Sequence, residues 1–121
     1  MDTMKDCTIY KTIDIIGKRW TLCILLELYK GNNSEKRFNE LKKKVAGITP
    51  KTLSTRLKEL GEDGLVKRTL DEATDPMVYT YSLSESGADF MEIIQSIKEW
   101  GLEWKFENKA CGLSKCKNCK L

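Results

Sequence analysis

The apolar residues of this chain change period at Gly64, and that switch constrains the fold more than any other feature. Upstream they recur at helical spacing: Ile9, Ile13 and Ile16, then Trp20, Ile24, Leu25 and Leu28, then Phe38, Leu41 and Val45, then Leu53, Leu57 and Leu60. Downstream, residues 65–70 and 78–83 alternate with a period of two about a turn at 71–76, the pattern of a β-hairpin. Helical spacing then returns through Phe90, Ile93, Ile94, Ile97, Trp100, Leu102 and Trp104. The chain therefore reads as α+β and mostly α. A helix pair joined by a short glycine turn and followed by a β-ribbon is the winged helix-turn-helix arrangement.

Punctuation residues set the expected boundaries. Asp6 is a candidate N-cap for a helix over 7–16, which Gly17 ends. A second helix spans 18–29 with Gly31 after it, and 32–34 form a loop. A short basic helix over 37–45 stops before Gly47. Thr49 caps the next, over 50–60, with Pro50 at the first helical position, where a missing N–H costs nothing. Ser84 and Glu85 open a long last helix over 84–107. With 121 residues and 40% hydrophobic composition, one domain with its own core is expected, occupying 1–107. Residues 108–121 are a tail dominated by lysine and cysteine.

Charge is unevenly distributed. The whole chain carries +3, yet residues 36–68 carry +6, so the remainder is net acidic. Such a basic module is the electrostatic footprint of phosphate binding. With Leu53, Leu57 and Leu60 inward, the helix at 50–60 turns Lys51, Thr52, Ser54, Thr55, Arg56 and Lys58 outward. Short hydroxyls allow close approach to a major groove, and Lys or Arg reaches guanine edges or phosphates. The expected DNA-binding set is thus Thr49, Pro50, Lys51, Thr52, Ser54, Thr55 and Arg56, with Lys42, Lys43, Lys44, Lys58, Lys67 and Arg68 on phosphates.

Histidine is absent, which removes the commonest general base, the Ser/His/Asp triad and His-ligated metals. No enzyme is expected. The most apolar stretch, residues 21–28, contains Glu27 and falls far short of the about 20 residues a spanning helix needs. Residues 1–7 are polar, so no secretory leader is expected and the chain is assigned to the cytoplasm.

Five cysteines remain. Cys23, beside Ile24 and Leu25, reads as an inert core thiol. Cys7 lies at the first turn of a helix near Lys5 and Lys11, where the dipole favours an anionic sulfur, although a capping-region cysteine is also compatible with a purely structural role. Cys111, Cys116 and Cys119 include a C-x2-C pair with metal-ligand spacing, compatible with zinc or an iron–sulfur cluster. Three thiols are one short of a tetrahedral set, and Cys7 is a candidate fourth ligand. Free thiols and a disulfide switch are the other readings of the tail, and otherwise no cofactor is expected.

The segments GKRWTLCILLEL (17–28), RFNEL (37–41), GITPKTLSTRLKELGEDGLVKR (47–68) and YSLSESG (81–87) resemble the HxlR family of winged-helix transcriptional regulators, relatives of the MarR family. The resemblance covers about 7–104, in order and spacing. It implies a homodimeric regulator of double-stranded DNA, with N- and C-terminal dimerisation helices and a recognition helix at 50–60. It also implies a role for Cys7, because several such regulators sense oxidants or electrophiles with an N-terminal cysteine. The wing departs from the family pattern: its tip holds Asp71, Glu72, Asp75 and Met77, poor ligands for a minor groove. Independently of the resemblance, Ile9, Ile13, Phe90, Ile93, Ile97, Trp100 and Trp104 exceed what one core of this size needs, which favours a dimer. Two other functions fit parts of the chain: a winged-helix protein–protein module, and a small cysteine-rich metal-binding or redox protein. No effector is legible.

Overall fold

The computed structural model describes residues 4–31, 35–113 and 115–119, so the loop expected at 32–34 lies outside the described residues. After a 3-10 turn at Met4–Asp6 come α1 (Thr8–Ile16), α2 (Thr21–Tyr29), β1 (Lys36–Arg37), α3 (Phe38–Lys44) and α4 (Pro50–Glu62). Then follow β2 (Val66–Asp71), β3 (Val78–Leu83), α5 (Glu85–Asp89), α6 (Met91–Trp104), α7 (Lys109–Leu113) and a 3-10 turn at Cys116–Asn118. The fold is α+β and mostly helical. The wing is the antiparallel β2–β3 hairpin, in register from Val66 opposite Leu83 to Asp71 opposite Val78.

The core gathers apolar stripes from α2, α3, α4 and the start of α6. Ile24, Leu25 and Leu28 of α2 meet Leu41 of α3, Leu53, Leu57 and Leu60 of α4, and Phe90, Met91 and Ile94 at the start of α6. Thr49 caps α4 by accepting the Thr52 N–H at 3.2 Å. At the other end Gly64 takes φ +83, which lets the Leu65 N–H reach Leu60 O at 2.9 Å and the Gly64 N–H reach Gly61 O at 3.2 Å. This pair of bonds closes the helix in a Schellman motif and aims the chain into β2.

Several expected boundaries move. Cys7, not Asp6, occupies the N-cap of α1, in extended conformation and without a side-chain cap. Residues 18–20 are a turn, and α2 starts only at Thr21, because Trp20 adopts φ +80 and cannot continue a helix. Lys36 and Arg37 precede α3 as a two-residue edge strand opposite Tyr81 and Thr80, giving the sheet order β1-β3-β2. The expected long helix is interrupted at Phe90, although that residue keeps helical angles (φ −64, ψ −17) and the two segments run on almost continuously. Cys23 is exposed and not a core thiol: the buried stripe of α2 passes through Thr21, Ile24, Leu25, Glu27 and Leu28, one position off.

Candidate nucleic-acid interface

The helix-turn-helix is α3, the turn at 45–49, and α4. Gly47 in that turn has φ +90, and a Cβ there would stand 3.4 Å from the indole of Trp20. The indole therefore lies against the turn that sets the angle between the two helices. From the same 18–20 segment, the Arg19 carbonyl accepts from Arg56 Nε at 3.1 Å, and Lys18 pairs with Glu59. Arg56 also donates to Glu59 Oε1 at 2.8 Å. Lys18 first, and Arg56 after it, hold the Glu59 carboxyl below its ordinary pKa against an opposing desolvation effect. The Lys18–Trp20 turn is thus a clasp on the flank of α4.

The outer face of α4 divides. Lys51, Ser54, Thr55 and Lys58 are exposed, as are Thr49 and Pro50 at its start. Thr55 Oγ1 is back-bonded to Lys51 O at 3.0 Å, and half-buried Thr52 accepts from Thr49 Oγ1 at 2.9 Å. Arg56 departs from expectation: it is half-buried and its guanidinium is engaged by Arg19 and Glu59, so it holds α4 in place and does not stand free to meet a base. Lys42, Lys43 and Lys44 are exposed in the last turn of α3, where the helix dipole favours cations. Lys67 and Arg68 are exposed at the base of the wing, and Arg68 stacks on Tyr79 at 4.2 Å from the ring centroid. Lys36, counted in the same basic module, donates to Lys30 O at 2.7 Å, and its partial burial lowers its pKa. At the wing tip Asp71 is occupied locally: its Oδ1 accepts the Ala73 N–H at 3.0 Å.

Lys18, Arg19, Glu59 and Tyr79 were not among the expected site residues. The basic pair directly after the helix-ending Gly17 was the only signal available for the first two. Cys7 is exposed at the N-cap of α1. Among the described residues no group of three or more Cys, Asp or Glu side chains is placed to hold a metal ion. Within the protomer, Cys111, Cys116 and Cys119 are therefore not assembled into one ligand set, with or without Cys7. Among the described residues no helix is long and apolar enough to cross a membrane.

A helix-turn-helix with a hydroxyl- and lysine-bearing second helix, lysines on the first and a basic-based β-wing defines the winged helix-turn-helix class of transcription regulators. The comparisons narrow this. Residues 15–109 match the family described as HxlR-like helix-turn-helix, and the chain belongs to that family. It is 36% identical over 104 residues to YdeP, an uncharacterised HTH-type transcriptional regulator of Bacillus subtilis (strain 168), covering 86% of this chain and 78% of YdeP. Among solved structures it resembles the redox regulator HypR in its oxidised form, with a TM-score of 0.72, 32% identity, and coverage of 83% of this chain and 99% of HypR. It also resembles the reduced form of the transcriptional regulator YodB from B. subtilis, with a TM-score of 0.71, 28% identity, and coverage of 85% and 98%. YodB has in addition been solved treated with diamide and bound to quinone.

Proposed function

We propose that this chain is a homodimeric regulator that reads double-stranded DNA in a sequence-specific way with α4 and responds to oxidants or electrophiles through Cys7. The observation that carries the DNA reading is the free outer face of α4. Lys51, Ser54, Thr55 and Lys58 lie exposed on a helix clasped along one flank, with further exposed cations on α3 and at the wing base. A protein–protein module does not require that charge.

Dimerisation is supported by what the protomer leaves uncovered. No residue of α1 is buried, and Ile9 is 71% exposed. Ile93, Ile97, Trp100 and Trp104 of α6 are exposed as well. Two apolar helix faces on one small domain find a partner more readily than they stay in water. Cys7 belongs to one of these elements, so a modification there acts where two copies would meet. The redox forms in which HypR and YodB have been solved support the same reading.

Two comparisons test it. Lys43→Ala weakens binding to all duplexes alike and lowers the salt slope by about one, as the loss of one phosphate contact does. Cys7→Ser keeps DNA binding and loses its response to diamide or quinone, measured by gel shift. DNA binding that ignores Lys43 contradicts the interface, and a Cys7→Ser protein that still responds contradicts the sensor.

A further inference from the structure

The tail carries a pair of thiols distinct from Cys7. Cys116 and Cys119 stand at the two ends of the Cys116–Asn118 3-10 turn, and the Cys119 N–H donates to Cys116 O at 3.2 Å. A turn of this kind holds its first and fourth Cα atoms within about 7 Å. Disulfides span roughly 4.4–6.8 Å between Cα atoms, so this turn brings the two backbones close to the separation a disulfide needs. Both are half-buried, which leaves them open to a small oxidant. Two thiolates supply only half of a tetrahedral metal site, and among the described residues no third ligand joins them.

The turn is not loose. The Gly31 N–H donates to Lys117 O at 2.7 Å, Lys117 lies 5.8 Å from the Tyr29 ring centroid, and Cys116 Sγ donates to Gln95 Oε1 at 3.6 Å. The tail thus bridges the end of α2 and the flank of α6. It lies beyond residue 109, where the family match stops, so the dithiol falls outside the matched segment.

We infer that Cys116 and Cys119 form a reversible dithiol–disulfide site whose oxidation by peroxides loosens the tail from α2 and α6. With hydrogen peroxide, one thiol sulfur attacks an oxygen, the O–O bond breaks, a sulfenic acid forms and one water leaves. The second thiol then attacks that sulfur, the S–S bond forms and a second water leaves. Two electrons pass from the two sulfurs to the peroxide, and a dithiol reductant returns them. A disulfide has no S–H, so Gln95 Oε1 loses its donor, and Cys116 must turn its sulfur towards Cys119. The contact that ties the turn to α6 is then gone.

The test uses the full chain. After peroxide the protein is alkylated under denaturing conditions and cut at Glu107, which places all three tail cysteines in one peptide. The expected peptide takes up one alkyl group instead of three, and none in Cys111→Ser. In Cys119→Ser the Cys116–Cys119 bridge is absent. Three alkyl groups after a peroxide dose that oxidises Cys7, or a wild-type bridge that includes Cys111, overturns the assignment. Hydrogen exchange tests the consequence: the Gly31 amide exchanges faster after oxidation in wild type and unchanged in Cys119→Ser. Equal Gly31 protection in the reduced and bridged wild-type protein overturns the loosening. These readouts need no DNA, so they stand or fall separately from the regulator reading.

Discussion

Arg56 shows how a residue that looks made for base contact is used otherwise. Its position on the outer face of α4 is readable from the spacing of Leu53, Leu57 and Leu60. Its partners are not, because Arg19 lies 37 positions away and contributes a backbone carbonyl. The same holds for Glu59, which looks like a solvated acid in a basic run and is instead shared by Lys18 and Arg56. These pairs are partly exposed, so each contributes at most about 1 kcal/mol. Lys18→Ala is expected to lower stability by roughly 0.5 kcal/mol in urea titration. Because the folded Glu59 pKa is lowered, its contribution is full above the ordinary glutamate value near 4.3 and fades as pH falls through the lowered value. Glu59→Gln therefore narrows its deficit against wild type on acidification. A deficit unchanged between neutral pH and pH 3 contradicts the clasp. Arg56→Ala weakens DNA binding by altering the stance of α4 while leaving the salt slope unchanged.

At the scale of elements, the local signals were strong wherever a cap or a period spoke. Pro50 with Thr49, Gly64, and the alternation of 78–83 placed α4, its end and β3. The edge strand Lys36–Arg37 could not be seen, since two residues carry no period and pair only because β3 is present. Nor does a helical spacing reveal that Trp20 will stand outside the helix, with a positive φ and its indole beside the Gly47 turn. Cys23 was misplaced because three adjacent apolar residues do not say which of them faces inward. Gly87 marks the closest junction between elements: a Cβ there would stand 2.2 Å from Leu65 O, where α5 packs on the wing. Gly87→Ala is expected to cost about 2 kcal/mol or more, the scale of overpacking in a tight junction. Thermal unfolding measures it, and a wild-type midpoint would show that the junction is looser than described.

For the whole molecule, the organisation into a basic helix-turn-helix and two apolar outlying helices was already contained in the residue order and charge. The exposed polar face of α4 was legible as a face, though not residue by residue, because periodicity gives direction and leaves hydrogen-bond partners undetermined. On the homodimer reading, Ile97→Asp places a charge on the exposed stripe of α6 and yields a monomer at micromolar concentration in sedimentation velocity. A circular dichroism spectrum with wild-type helix content shows that the fold persists. An unchanged dimer would move the interface elsewhere.

The most direct test of the central claim is selection of bound duplexes from a random pool, run in parallel on wild type and on the Lys51→Ala, Ser54→Ala double variant. A dimer reading with α4 enriches a pseudopalindrome whose half-sites lie about 34–36 Å apart or a multiple of that. The double variant relaxes or changes the bases chosen within each half-site and keeps their spacing. Enrichment of no sequence by the wild type, or the same base preferences from both proteins, would contradict recognition by α4.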